Sequence, residues 1–165
     1  MKPYQATVAA LIQAPAEQVY NVLADYQNGH PRILPKPYFI SLEVEQGGFG
    51  AGTIINFAMR VMGQTQTFRA VISEPEPGRV LVETNVEPLG VVTTFTVCAV
   101  DGGRRSEVSI STDGRTIRNG LLGSLERFFT QTYLKRIYKK ELKLLAAFAQ
   151  RGTDVEQESA VPRAL

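Results

Sequence analysis

The chain has 165 residues, of which 44% are hydrophobic and 21% are charged, and its net charge is +2. This length suits a single domain, and the apolar fraction is typical of a globular protein, so general disorder is excluded. One cysteine, Cys98, and one histidine, His30, exclude an internal disulfide and a zinc site of the Cys/His type. We therefore expect neither a metal nor a cofactor.

Segments for export or membrane insertion are not predicted. The first residues lack the apolar stretch of a signal peptide, and no run of about 18 apolar residues predicts a transmembrane helix. A single thiol is typical of a reducing compartment, so we expect a cytoplasmic protein.

The first predicted elements are a strand and a short helix. Residues 4–12 alternate between apolar and polar side chains, which predicts a strand. Pro15 suits the first position of a helix, where its missing N–H is not needed, and residues 16–24 continue as about two helical turns. Residues 25–31 are rich in turn formers, and residues 33–34 are an apolar pair between two prolines that predicts a short turn.

From residue 38 to residue 112 the pattern is that of antiparallel strands. The predicted strands cover residues 38–46, 53–61, 65–74, 79–87, 89–100 and 104–112. A glycine-rich turn at residues 47–52 and a hairpin signal at residues 101–103 separate some of them. In the strand 65–74 we expect the phase of Phe68, Ala70 and Ile72 to be buried.

A helical spacing of apolar residues begins at about Ile117. It continues to Gln150, which predicts a helix on the order of 45 Å long. Gly120 and Gly123 predict a weak first turn or a kink, and Gly152 stands where a C-terminal glycine stop is expected.

These elements predict an α+β protein. Consecutive strands form an antiparallel meander of six to seven strands, with one or two short helices after the first strand. Only the C-terminal helix is long enough to cover one face of this curved sheet. Because the chain has no tryptophan, medium-sized side chains would leave room beneath the helix. We expect one domain over residues 1–151 and a polar, disordered tail over residues 152–165.

Four segments carry a resemblance to a known superfamily. They are the strand-to-helix junction at residues 12–26, the turn at residues 74–78, the pair Thr94 and Phe95, and residues 120–123 before a basic amphipathic helix. Together they resemble the START-like (SRPBCC) superfamily, which includes polyketide cyclases/dehydrases, lipid-transport proteins and Bet v 1-like proteins. The resemblance covers about residues 4–150. It implies a helix-grip fold around an apolar cavity for a lipid, polyketide or hormone.

A small apolar ligand is therefore expected between the sheet and the long helix, with its entrance at residues 26–35. Binding would come mainly from apolar burial, and tyrosine hydroxyls would anchor a polar group unless they are plain core residues. The candidate ligand-binding residues are Tyr26, His30, Leu34, Tyr38, Ile55, Phe57, Met59, Phe68, Phe95, Leu125, Phe129 and Tyr133.

Catalytic residues are not assigned by any motif. His30 is the one candidate general acid or base, but a solvent-exposed loop histidine beside Pro31 is the simpler interpretation. Asp25 is expected to cap local N–H groups rather than to bind a ligand. Ser, Cys and His form no recognisable nucleophile set, and Cys98 has no activating neighbour in the sequence.

Charged residues within the strands are expected to point away from the helix. Arg60, Arg69 and Glu83 lie on the phases that we interpret as outward, since a buried charge is costly unless it is paired. If Arg69 and Glu83 both pointed inward, they would suit a carboxylate or enolate. The glycine run at residues 47–52 lacks the Lys-Ser/Thr pair of a phosphate-binding loop and predicts only a hairpin.

Positive charge is concentrated in the long helix. Residues 1–114 carry 8 Lys/Arg against 11 Asp/Glu, whereas residues 115–151 carry 9 against 2. Arg136, Lys139 and Lys143 share one helix face with Lys140, which favours a solvated outer face or, as a sharper alternative, contact with anionic lipid headgroups. Nucleic acid is not expected, because exposed aromatic side chains are not interleaved with these charges.

Three functions remain open at this stage. The first is a carrier or sensor of a small hydrophobic molecule, which would not be an enzyme. The second is an enzyme of the polyketide cyclase/dehydratase type, in which His30, Tyr38 or Arg69 moves protons. The third is a peripheral protein that docks on anionic lipid through the basic helix. The oligomeric state is left open.

Overall fold

The computed structural model describes residues 2–61 and 63–159, which contain seven strands and three α-helices. The elements are β1 (Pro3–Ile12), α1 (Ala16–Ala24), α2 (His30–Ile33), β2 (Phe39–Gln46), β3 (Ile54–Val61), β4 (Gln64–Glu76), β5 (Val80–Glu87), β6 (Leu89–Val100), β7 (Arg105–Arg115) and α3 (Gly120–Ser159). Except at the C-terminal ends of β4, β7 and α3, which lie further along the chain than predicted, their bounds agree closely with the periodicity of the sequence. A 3-10 turn at Asp101–Gly103 joins the last two strands.

All seven strands belong to one antiparallel sheet. Its order is β1-β7-β6-β5-β4-β3-β2, so each strand from β2 to β7 lies beside its neighbour in sequence, as the predicted meander requires. β1 pairs with β7, with Val8 opposite Ile110. α1 and α2 carry the chain from β1 at one edge of the sheet to β2 at the other. The predicted α+β helix-grip fold is confirmed.

The chain leaves α1 through a turn that Asp25 holds. Its carboxylate oxygen Oδ1 accepts hydrogen bonds from the backbone N–H groups of Gln27 at 3.1 Å and Asn28 at 3.0 Å. The expected capping role of Asp25 is thus confirmed, and this turn leads directly into α2 and His30.

The second half of α3 seals the concave face of the sheet. Ile137 and Leu145 are fully buried and belong to one core cluster with Phe95 and Ile110 from the sheet and with the apolar side of α1. Ala70 and Ile72 are also buried, so the predicted inward phase of β4 is correct.

α3 is longer than the sequence predicts. It continues to Ser159, so the expected stop at Gly152 is wrong; one glycine costs a helix only about 1 kcal/mol, which does not end it. Residues 152–159 of the predicted tail lie in this helix, and residues 160–165 lie outside the described residues. The domain boundary at residue 151 stays a prediction. Among the described helices, none is both long and apolar enough to cross a bilayer.

Removing a buried side chain from the second half of α3 tests this packing. We expect Leu145→Ala to lower the free energy of unfolding by about 2–5 kcal/mol, because it leaves a cavity between helix and sheet. The adjacent Leu144 is 39% exposed, so Leu144→Ala should change that free energy by less than about 1 kcal/mol. Urea denaturation of both variants measures the difference, and equal effects would contradict the described orientation of α3.

Candidate functional site

The concave sheet face is closed at one end and open at the other. Ile55 is buried, whereas Phe39, Phe57, Met59 and Phe68, nearer the β3–β4 hairpin, are only half-buried. The rings of Phe57 and Phe68 stack with centroids 5.1 Å apart, and the Phe39 ring lies 6.3 Å from that of Phe57. We call the surface formed by Phe39, Phe57, Met59 and Phe68 the inner groove. Phe39, Phe57 and Met59 pack partly against the core, and all four side chains keep part of their surface exposed.

Tyr133 ties α3 to the strands beside the inner groove. Its hydroxyl donates a hydrogen bond to the backbone carbonyl of Arg60, and its ring meets the ring of Tyr38 edge to face at 5.6 Å. Earlier turns of α3 lie against the edge strand β1 instead. Leu125 and Phe129, both expected to line the ligand cavity, are about half exposed there.

A group of polar side chains, buried except for the partly exposed Glu83, lies deeper on the same face. Tyr26, His30, Glu83, Tyr138 and Glu141 form this group, which we call the inner polar cluster. The Tyr26 hydroxyl donates a 2.7 Å hydrogen bond to Oε1 of Glu83, and Nε2 of His30 lies 3.7 Å from the same oxygen. The Tyr26 and His30 rings stack at 4.5 Å.

His30 is buried, not exposed as the simpler interpretation of the sequence suggested. α2 turns its ring beneath α1, where Nδ1 lies 2.7 Å from the carbonyl oxygen of Leu23. Because a carbonyl oxygen only accepts hydrogen bonds, Nδ1 carries a hydrogen. Nε2, which faces Glu83, is therefore the nitrogen that can gain or lose a proton. The ring also meets Phe95 edge to face at 5.6 Å.

Glu83 points inward, so its predicted outward orientation is wrong. Leu81 and Asn85, on the same phase of β5, are buried, and the Glu83 side chain is only 13% exposed. In the sequence, Val80 and Val82 suggest that their phase of β5 is the buried one, opposite to that of Glu83. In the structure both valines lie on the outer side of the sheet. A carboxylate with little access to solvent needs polar partners, and Tyr26, in the turn between α1 and α2, donates a hydrogen bond to it. That compensation depends on tertiary contacts, which periodicity does not reveal.

Arg69 points outward, as predicted. It makes a bidentate pair with Glu45, with both nitrogen–oxygen distances 2.8 Å. Hydrogen bonds from Arg69 and Asn56 lower the pKa of the Glu45 carboxyl to about 2. Because this pair lies on the exposed side of the sheet, Arg69 cannot take part in chemistry at the inner polar cluster.

Glu141, on α3, is the last member of the inner polar cluster. It is not among the site residues predicted from the sequence. It lies four residues from both Ile137 and Leu145, in the middle of the buried stripe, and is 2% exposed. Burial, and secondarily the negative charge of Glu83, raises its pKa well above the ordinary value. The neutral, protonated form is favoured, and its O–H is available as a donor.

Tyr138 extends the cluster toward β7 and β6. It shares a hydrogen bond with the hydroxyl of Thr112, which lies 2.8 Å from the hydroxyl of Thr93. Burial raises the pKa of the Tyr138 phenol, which keeps it neutral. Thr93 is the direct cross-strand neighbour of Glu83, so the polar side chains form a row across the sheet.

Within the described residues, this arrangement offers hydrogen-bond donors, acceptors and one imidazole, but no buried Lys or Arg. No three His, Cys, Asp or Glu side chains in that part of the chain are placed to hold a metal ion. The site can therefore bind polar groups of a ligand and move a proton at His30 or Glu141, without any help from a buried cation.

The predicted ligand-binding residues fall into separate groups. His30 contacts both Tyr26 and Phe95, and Tyr38 and Tyr133 form a second pair near the inner groove. Leu34 lies instead in a surface groove of about 570 Å³ between α2 and α3. Whether each of the twelve touches a ligand stays a prediction.

A family model described as "Polyketide cyclase / dehydrase and lipid transport" matches residues 4–150. The chain belongs to this family. The resemblance to the START-like superfamily is thereby confirmed. No curated protein matches the chain significantly.

Solved structures support the same fold. The KanY protein, solved by NMR, has a TM-score of 0.76 and 25% identity, and the match covers 91% of this chain and 99% of that one. The ZhuI aromatase/cyclase from Streptomyces sp. R1128 has a TM-score of 0.74 and 20% identity, covering 91% and 95%. A START superfamily protein from Mycobacterium smegmatis has a TM-score of 0.67 and 10% identity, covering 90% and 98%.

The raised pKa of Glu141 predicts a specific pH dependence of stability. Its stabilising contribution is fully present below the unfolded-state pKa and is lost as pH rises through the higher folded-state pKa. Glu141→Gln removes this titration, so we expect the variant to gain stability relative to wild type as pH is raised from about 4. Urea denaturation across pH measures this gain, and Glu107→Gln on the exposed sheet face is the control. A pH slope unchanged from wild type would contradict the assignment.

Proposed function

We propose that the protein binds a small, mostly apolar molecule, such as a lipid, a polyketide or an aromatic compound, as a carrier or sensor. The inner groove is the observation that carries this proposal. Its aromatic side chains stay half-buried beside α3, while the rest of the concave face is packed. The apolar body of the ligand would lie on Phe57 and Phe68, and its polar group would reach the inner polar cluster.

The family supports this assignment. Its description names polyketide cyclases, dehydrases and lipid transport, all of which concern largely apolar molecules. One solved structure of the same fold is described as an aromatase/cyclase. Ligand pockets are commonly apolar, with a few polar groups that orient the ligand, and the inner groove and inner polar cluster together have this composition.

The charges near the groove constrain the polar group of the ligand. Glu83 and Glu141 are both acidic, and within the described residues no Lys or Arg is buried beside them. A ligand carboxylate would add a third acidic group in a place with little water. A hydroxyl or a phenol, in contrast, donates to Glu83 and accepts from the protonated Glu141.

Ligand binding can be tested by native mass spectrometry. The probes are a long-chain alcohol, the fatty acid of the same length and a neutral aromatic polyketide. We expect the alcohol and the polyketide to bind more tightly than the fatty acid. Phe68→Ala should weaken binding by about tenfold or more, because it removes apolar contact area. Ile40→Ala, on the outer side of β2, is the matched control and should leave binding unchanged; no binding by wild type would overturn the proposal.

A second candidate function is an enzyme of the cyclase/dehydratase type. The burial of His30, with Nε2 directed at Glu83, is the observation that favours it. Nε2 is suited to remove a proton from carbon next to a carbonyl group, and the protonated Glu141 is suited to donate to the oxygen. Arg69 is excluded from this role by its outward orientation, and Tyr38 lies at the helix contact near the groove.

His30→Asn separates the two functions. The asparagine amide can still donate to the carbonyl of Leu23, but the proton-accepting Nε2 is gone. If the protein is a cyclase or dehydratase, conversion of a poly-β-ketone thioester should fall by about 100-fold or more, with ligand binding changed little. Equal turnover by both proteins would contradict a catalytic role for His30. No turnover by wild type would favour the carrier.

A further inference from the structure

The first half of α3 and the turn before it expose a cluster of large apolar side chains. All are between 52% and 87% exposed. On a helix with about 100° between successive residues, the five helical members lie on one side, opposite the stripe that packs on the sheet. We call this surface the apolar patch. Its members are Ile117, Leu121, Leu122, Leu125, Phe128 and Phe129.

Elsewhere in the part of the chain that the structure describes, large exposed apolar side chains do not form such a cluster. Leu11, Ile40, Phe49 and Leu144 lie on different elements, and single exposed residues of this kind are ordinary. A contiguous group of leucines and phenylalanines on one helix face is not ordinary, and it indicates contact with another apolar surface.

The same helix face becomes basic immediately after the apolar patch. Lys135, Arg136, Lys139 and Lys143 are exposed on it over the following turns. The two acidic residues between positions 120 and 151 do not neutralise these basic residues. The carboxylate of Glu126 accepts hydrogen bonds from the backbone N–H groups of residues 117 and 118, and Glu141 is buried. One face of α3 is thus apolar at its start and cationic further along.

We propose that this face of α3 docks on the surface of an anionic lipid bilayer. The apolar patch enters the boundary between headgroups and acyl chains, and the basic residues contact the lipid phosphates. The surface differs from the basic face alone, because apolar insertion and charge attraction act at adjacent positions of one helix. The proposal does not depend on the identity of a bound ligand.

The position of the patch fits an exchange of apolar molecules with a membrane. β7 ends at Arg115, and antiparallel pairing places that end of the sheet on the same side as the β3–β4 hairpin. α3 starts there, so the apolar patch and the inner groove share one end of the fold. A ligand dissolved in the bilayer would have a short path into the groove.

Vesicle flotation of the full chain without added ligand tests the docking. We expect binding to vesicles of phosphatidylcholine with phosphatidylserine at low salt, and much weaker binding to phosphatidylcholine alone or at high salt. The triple variant Leu121→Ser/Leu125→Ser/Phe128→Ser should lose about tenfold or more of this binding. Leu11→Ser/Ile40→Ser, which removes exposed apolar side chains elsewhere, is the matched control and should bind like wild type.

Insertion itself can be observed with a single tryptophan, since the chain has none. Phe128 and Phe49 are 61% and 59% exposed, but they lie at opposite ends of the fold. The fluorescence of Phe128→Trp should shift to the blue on anionic vesicles, whereas that of Phe49→Trp should not. The proposal is overturned if wild type does not bind the anionic vesicles or if both tryptophan probes respond alike. Failure of wild type to bind vesicles, together with dissociation of a dimer by the triple variant, would show that the apolar patch contacts a second copy of the chain.

Discussion

The packing of the second half of α3 on the concave sheet is the contact on which the rest of the structure depends. Ile137 and Leu145 are buried there, and they join β-sheet, α1 and helix in one core. A single helix cannot cover seven strands, so the sheet face remains uncovered where α3 turns toward β1. The inner groove stays open and the start of α3 is exposed for the same reason. At the end of the sheet where the β3–β4 hairpin lies, α3 lies against β1 and leaves β3 and β4 uncovered.

Two carboxyl groups lie within this contact, and the structure has to compensate the cost of removing them from water. A buried carboxylate costs several kcal/mol unless charges or hydrogen bonds compensate it. Glu83 is compensated by the hydrogen bond from the Tyr26 hydroxyl, whereas Glu141 avoids the cost by favouring its protonated form. An apolar residue at position 141 would pack with less penalty. Carboxyls in such surroundings are typical of functional sites, which supports a ligand-binding or catalytic role for this cluster.

Most of the fold could be predicted from the sequence because it follows from local periodicity and turn chemistry. Strand alternation and glycine-rich turns give the meander, and Pro15 gives the start of α1. The candidate site is harder to predict from the sequence than the fold, since it depends on contacts between elements that are far apart along the chain. Val80 and Val82 suggest the wrong face for β5, and only the contact of Tyr26 with Glu83 explains why the carboxylate is inside. Glu141, in contrast, had a usable signal: it lies between apolar residues at helical spacing of four.

The apolar spacing of α3 conceals a change of face that only the structure reveals. If the apolar residues between positions 121 and 148 are taken as one stripe, they predict that α3 has a single buried face. With about 100° per residue, however, the apolar residues of the first half point roughly 170° away from those around Ile137 and Leu145. One helix therefore carries two apolar faces, and the sheet covers only the second. Buried polar groups on the covered face and exposed apolar groups on the other are the reverse of what stability alone favours, and this reversal is the common basis of the two proposals, a ligand at the covered face and a bilayer at the exposed one.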